Sequence, residues 1–244
     1  MLAQFNSISL KEMEQVKLFD RMDTKYAFPA KLLPALLEKL TPYYKILEIN
    51  GNRINSYHSI YFDTPFLDLF MQHHKGKNNR VKVRFRNYVE SNLNFFEIKR
   101  KNNKGRTIKK RIPVNAISKL LNEDLHVFLK TIAPEIPQDL KNTLSIDYRR
   151  ITLAGINNPE RLTLDLDLSF ASDSGSCNFN NIVVAELKQG KLNPSSVAVK
   201  ALQSLHIREG FMSKYCLGIS CLYTGVKKNL FNPRIRYIKN LNSI

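Results

Sequence analysis

The sequence predicts an α+β protein built on a closed antiparallel β-barrel of about eight strands, with a charged lumen forming a tunnel and helices covering the outside. Three observations carry that expectation. In segment after segment, charged and apolar residues alternate with a period of two, which sorts them onto opposite faces of a strand. Stretches with leucines at helical spacing lie in the gaps between these segments. The charged faces are dense in Lys and Arg. An ordinary sandwich would bury its apolar faces sheet on sheet and leave those helices little to cover. Closing one sheet instead turns the apolar faces outward beneath helices, gathers the charges inside and removes exposed edges.

The elements follow in chain order. Residues 9–19 read as a short helix, and Arg21-Met-Asp-Thr-Lys-Tyr-Ala-Phe28 as a strand with Arg21, Asp23 and Lys25 in phase. Pro29 ends it, and residues 30–40 carry a leucine stripe with Pro34 in the first turn. Residues 55–63 are aromatic and β-branched, hence a strand, and Thr64-Pro65 opens a short helix through Met71. The run Arg80-Val-Lys-Val-Arg-Phe-Arg86 puts Arg80, Lys82, Arg84 and Arg86 on one side and Val81, Val83 and Phe85 on the other; Phe95-Phe-Glu-Ile-Lys99 is its partner. Lys101-Asn-Asn-Lys-Gly105 has turn chemistry, so 106–113 returns as a second hairpin arm with Thr107, Lys109 and Arg111 in phase.

Residues 114–132 read as one or two helices, broken at Pro134 and Pro137. Three more strands are expected at 144–154, 161–170 and 182–189. In the second, Arg161, Thr163, Asp165 and Asp167 alternate with Leu162, Leu164, Leu166 and Leu168. A helix near 194–208, a last strand near 213–220 and a loosely ordered basic tail from Lys227 complete a single domain over 1–244, with its core at about 21–220.

Charge narrows the function. Lys+Arg number 38 against Asp+Glu 21, a formal net charge of +17 on 244 residues, so the expected partners are anions: nucleic acid, phosphorylated small molecules, polyphosphate or a membrane surface. Four like charges in one strand row repel one another unless water screens them or a polyanion lies along them. A lumen holding many cations is unfavourable when empty, and an anion held by several of them relieves the repulsion. The reading is a bore that takes a chain of phosphates. Nucleic acid fits less well, because Phe85 alternates against the arginines, whereas nucleic-acid faces place stacking aromatics among the basic groups.

Other classes drop out. Cys177, Cys216 and Cys221 are odd in number and lack CxxC spacing, which argues against a disulfide framework or zinc site. His58, His73, His74, His126 and His206 show no ligand spacing, and His73-His74 reads as surface. No apolar run reaches the roughly 18 to 20 residues that span a bilayer, and the N-terminus lacks the pattern of a secretory signal. The expected location is cytoplasmic; the basic tail is compatible with peripheral contact at the inner face of the membrane and equally with a solvated tail.

The segments Arg21-Met-Asp-Thr-Lys-Tyr26, Ile60-Tyr-Phe-Asp-Thr64, Val83-Arg-Phe-Arg86, Phe96-Glu-Ile-Lys99, Tyr148-Arg-Arg150, Arg161-Leu-Thr-Leu-Asp-Leu-Asp167, Ala185-Glu-Leu-Lys188 and Ser213-Lys-Tyr215 resemble, in order, the strands of a VTC domain. That is the polyphosphate polymerase domain of the triphosphate tunnel metalloenzyme superfamily, which also contains the CYTH enzymes. The resemblance implies that Lys25, Arg84, Arg86, Lys99, Lys109, Arg150, Arg161, Lys188 and Lys214 bind phosphates. Of these, Lys25, Arg84, Arg86, Lys99, Arg150 and Arg161 would act in the transfer itself. Glu186 is the implied ligand of Mn²⁺ or Mg²⁺, assisted by Glu97 or Asp167. A purely structural reading pairs Glu186 with Lys188 or with an arginine across the barrel, and at least one of Asp165 and Asp167 with Arg161.

The implied activity is transfer of the ATP γ-phosphate onto a polyphosphate chain. A metal-dependent triphosphatase acting on tripolyphosphate or nucleotides, and a noncatalytic polyphosphate-binding subunit, are the alternatives. The CYTH signature Glu-x-Glu-x-Lys is replaced here by Arg21 and Asp23 ahead of Lys25, which favours the polymerase branch. At this length neither an SPX-type sensor nor a membrane segment is expected, so regulation or translocation would come from a partner such as a membrane protein; the oligomeric state is left open.

Overall fold

The computed structural model describes residues 1–15, 22–102 and 106–243. Arg21, the end of the expected first helix and the centre of the expected 101–105 turn lie outside the described residues. The chain runs β1 (Ser7–Ile8), α1 (Leu10–Gln15), β2 (Met22–Pro29), α2 (Leu33–Leu40), β3 (Tyr44–Leu47), β4 (Asn55–Asp63), α3 (Asp68–His74), β5 (Arg80–Tyr88), β6 (Leu93–Lys101) and β7 (Thr107–Pro113). It continues through α4 (Glu123–Ile132), β8 (Lys141–Gly155), β9 (Glu160–Ser172), β10 (Gly175–Phe179), β11 (Ile182–Gln189), α5 (Val197–Ser204), α6 (Lys214–Leu222) and α7 (Asn232–Asn242).

Eight strands form one antiparallel path in the order β2-β11-β9-β8-β4-β5-β6-β7, while β1, β3 and β10 attach beside it. The α+β antiparallel architecture is the one expected. The expected closure is not found: among the described residues no ladder joins β2 to β7, so the sheet is not closed by hydrogen bonds. Lys99 on β6 nonetheless lies in the electrostatic field of Asp23 and Lys25 on β2 and of Glu186 on β11.

Period-two alternation decides what packs where. The outer apolar face of β2, β8, β9 and β11, including Phe28, Leu153, Leu164 and Val183, is covered by Leu36, Leu37 and Leu40 of α2 and Ala198, Ala201 and Leu202 of α5. Val81, Val83 and Phe85 of β5, with Phe96 and Ile98 of β6, are covered by Leu125 and Leu129 of α4. A third cluster lies on the inner face. There Ala27, Leu144, Ile146, Phe170 and Val184 pack against Tyr215, Cys216, Leu217 and Ile219 of α6 and Ile235 and Ile238 of α7.

Here the structure departs from expectation. Residues 213–220 are not a last strand but the start of α6, whose first turn is capped by the Ser213 side chain accepting from the Cys216 amide. Residues 215–220 are all buried, and an apolar run enclosed on every side carries no period to tell helix from strand. The basic tail is not loose either. Ile235 and Ile238, one turn apart, seat α7 on the inner cluster, and Asn242 accepts from the Asn181 backbone amide and side chain. The 114–132 segment is helical only from Glu123, where Asn122 caps α4.

Candidate functional site

Strand register builds the wall of the bore in transverse rows. Lys82 on β5 stands opposite Lys99 on β6, which stands opposite Lys109 on β7; one step along, Arg84 stands opposite Glu97, which stands opposite Arg111. Glu97 is buried, with 2% of its side chain exposed. It accepts from Arg84 through Nε at 2.8 Å and a terminal nitrogen at 2.5 Å, and pairs with Lys109 at 2.6 Å. Burial pushes its carboxyl up, but Arg84, Arg86 and Lys109 outweigh that and hold it well below the usual carboxylate range.

The same arrangement recurs on two other walls. Arg150 stands opposite Asp165 and grips it as a fork, Nε to one oxygen at 2.5 Å and a terminal nitrogen to the other at 2.9 Å; Lys214, the first residue of α6, reaches the second oxygen. Desolvation raises the Asp165 carboxyl and these two cations more than reverse it. Glu186 stands opposite Lys25, 3.6 Å away, and pairs with Lys188, whose ammonium also lies 3.3 Å from Asp23. Here too the cations override burial and the carboxyl is held down. Arg161 is the β9 neighbour of Lys188 on the same face.

Arg86 differs. It is only 8% exposed, its Nε donates to the Ser59 hydroxyl at 3.1 Å, and among the described residues no carboxylate lies within ion-pair distance of it. Tyrosine rings surround it. Tyr57 and Tyr148 stack nearly parallel with centroids 5.1 Å apart. Arg86 lies 5.7 and 5.8 Å from those two centroids, Arg150 lies 4.9 and 5.2 Å away, and the Lys214 ammonium sits 4.7 Å over Tyr148. Tyr61 accepts from Arg84 at 2.6 Å; burial alone would raise its phenol, but Arg84, Arg86 and Lys82 bring it down to about 8.

The structure therefore brings together Lys25, Arg84, Arg86, Lys99, Lys109, Arg150, Arg161, Lys188 and Lys214 with Glu97 and Glu186. It does not bring Asp167. A register shift in the β8/β9 pairing and a φ of +51° at Asp167 turn its carboxylate to the other face, where it accepts from Arg149 at 2.6 Å. His74, read as surface, is buried between Phe70 and Phe231 and accepts from the Leu230 amide at 3.3 Å. Beside it, burial and the charges of Lys82, Arg80, Lys99 and Lys101 push the His73 imidazole down to about 2. The tyrosine lining was missed, although Tyr57 and Tyr61 lie in phase with Asp63, and Tyr148 in phase with Arg150.

Among the described residues no three His, Cys, Asp or Glu side chains gather into a metal cluster. Mg²⁺ and Mn²⁺ in phosphate sites need fewer, one or two carboxylates with phosphate oxygens and water completing the shell. Asp23 and Glu186, two carboxylates that meet at the Lys188 ammonium, fit that requirement, with Lys25 and Lys188 as the cations a metal would compete with; Glu97 and Asp165 each stand as single carboxylates gripped by an arginine and a lysine. No described helix is long and apolar enough to cross a membrane.

A cation-lined bore with interleaved carboxylates, carried on a curled antiparallel sheet, defines a protein of the triphosphate-tunnel, CYTH-like class. The chain belongs to the VTC domain family, whose model matches residues 20–223. Solved structures agree at the level of fold. A candidate adenylate cyclase of Bacillus halodurans superposes with a TM-score of 0.50 at 13% identity, covering 84% of this chain and 98% of that one. A Hippeastrum candidate adenylyl cyclase, described as having a dominant triphosphatase activity, gives 0.50 at 15% identity over the same shares. No curated protein sequence matches the chain.

Proposed function

We propose that the protein transfers the γ-phosphate of ATP onto the end of a polyphosphate chain inside the bore. The observation that carries this reading is Arg86, a buried guanidinium with no carboxylate at ion-pair distance among the described residues. A buried charge without a counterion is strongly disfavoured, and an anionic ligand supplies the missing partner. Lys82 and Lys99, opposite each other on the same wall, extend the same demand.

Phosphoryl transfer asks little covalent work of a protein: charge neutralisation on nonbridging oxygens and in-line placement of nucleophile and leaving group. Arg84, Arg86, Arg150 and Arg161 offer forked donors to those oxygens, and Lys25, Lys99, Lys109, Lys188 and Lys214 offer compact charge. The acceptor phosphate is already ionised, so no general base is needed. Glu97 and Asp165 fix Arg84, Lys109, Arg150 and Lys214 before substrate arrives. A divalent metal held by Glu186 with Asp23 would neutralise further phosphate charge. Triphosphate hydrolysis in the same bore is the second reading, favoured by the Asp23 and Glu186 carboxylates meeting at one ammonium. Incubation with ATP and Mn²⁺, with products separated by chain length, tests both: ADP with a growing chain supports transfer, free phosphate alone supports hydrolysis, and neither product sinks the enzymatic reading.

A further inference from the structure

We infer that Tyr57 and Tyr148 are positioning residues of the bore, a two-ring platform that holds Arg86, Arg150 and Lys214 as one unit facing several linked phosphates. The inference rests on the phosphate reading and adds how three cations from different elements are kept together and still charged. Arg86 comes from β5, Arg150 from β8 and Lys214 from α6, yet all three lie within 5.8 Å of the Tyr148 centroid. That is within reach of the attraction between a cation and the negative face of an aromatic ring.

The two ways of holding a cation in this bore have different consequences. A carboxylate neutralises the cation it holds, so a phosphate must share or displace it. A ring face attracts through its quadrupole and carries no net charge, so the cation keeps its full charge for the ligand. Arg86 is held by rings and one hydroxyl; Arg150 is held by both rings and Asp165, and Lys214 by the Tyr148 ring and Asp165. The Tyr148 hydroxyl has no hydrogen-bond partner among the described residues although the residue is 3% exposed. Its ring face, not its phenol, therefore accounts for its place beside these cations. Three cations gathered over one ring pair suit contiguous phosphates on a single chain better than an isolated phosphate, which reaches fewer of them.

The competing account is plain core packing, since both tyrosines also contact the inner apolar cluster. Replacing Tyr148 by Phe and then by mono-, di- and trifluorinated phenylalanines drains the ring quadrupole with little change of volume. Binding of tripolyphosphate and of orthophosphate is measured for each protein, together with its melting temperature. The expected result is that Tyr148→Phe binds tripolyphosphate within about twofold of wild type, and that affinity then falls stepwise by about tenfold across the series. The melting temperature should hold and orthophosphate binding change less. A flat series, or a loss already complete at Tyr148→Phe, overturns the inference. If the position 148 proteins do not fold, the same series at Tyr57 decides it by the same criteria. Wild-type protein that binds no tripolyphosphate overturns the phosphate reading itself, an outcome distinct from a flat series on a protein that binds.

Discussion

Lys82 and Lys99 stand directly opposite each other on neighbouring strands, on the bore face, with Lys109 next in the same row. Burial lowers all three ammonium groups, Lys99 and Lys109 to about 8; the Lys82 charge adds to it at Lys99, while Glu97 opposes it at Lys109. In the unfolded chain a lysine titrates near 10.4. Between about pH 8 and that value the unfolded chain therefore binds more protons than the folded one, so these lysines make stability rise with pH through the window. A bound polyanion raises them again. Tripolyphosphate binding should thus take up protons, and its affinity should be greatest below pH 8 and fall as pH climbs toward 10. Calorimetry in buffers of differing ionisation heat reads the proton uptake; a pH-independent affinity across that range would refute the assignment of this row to the ligand.

Arg86→Met should separate stability from binding. The substitution removes a buried charge that has no carboxylate partner among the described residues and leaves an apolar chain of similar reach. The unfolding free energy should hold or rise, by up to about 2 kcal/mol. Tripolyphosphate affinity should fall by about tenfold or more, the order expected for losing a charge-assisted hydrogen bond. A clear drop in stability would mean that the free protein already satisfies Arg86.

Most of the wall of the bore was legible in the sequence. Cations at every second position of residues 80–86 cannot form an ordinary core, so their face had to be special, and the register delivers them together. What escaped has physical causes. Alternation assumes an unbroken pleat, and the shift beside Asp147 and Arg149 breaks it, which is why Asp165 faces the bore and Asp167 does not. The 213–220 run lost its helical period because α6 is enclosed by the curl of the sheet. The roles of Tyr57 and Tyr148 escape the sequence because side chains that hold arginines look the same there as side chains that fill a core.

Glu97→Gln should destabilise the protein and make it depend on ligand. Glu97 is the acceptor for Arg84 and Lys109, and removing one partner of a buried ion network costs about 3 kcal/mol. For a chain of this size that is a melting-temperature loss of roughly 6 to 12 °C. Tripolyphosphate should then raise the melting temperature more in this variant than in wild type, since it supplies charge to the two orphaned cations. Equal ligand shifts in the two proteins would show that Glu97 and the ligand do not share these cations. Wild-type Glu97, held below its ordinary value, contributes stability that is present above about pH 4 and is lost as pH falls through its folded value.

The seat of α6 inside the sheet depends on one missing side chain. A Cβ at position 218 would stand 2.6 Å from a methyl of Leu144 and 2.6 Å from a ring carbon of Phe170, closer than those atoms can tolerate, so Gly218→Ala must push the helix outward or force both neighbours from their rotamers. Overpacking of this kind costs about 1 to 3 kcal/mol. The displacement reaches the ligand face because Lys214 lies one turn earlier on the same helix and pairs with Asp165. The expected outcome is a lower melting temperature together with weaker tripolyphosphate binding. Gly218→Ala combined with Leu144→Ala, which opens room for the new methyl, should recover the binding even where stability stays low. Weak binding that persists in the double variant would mean that Lys214 does not depend on how α6 is seated.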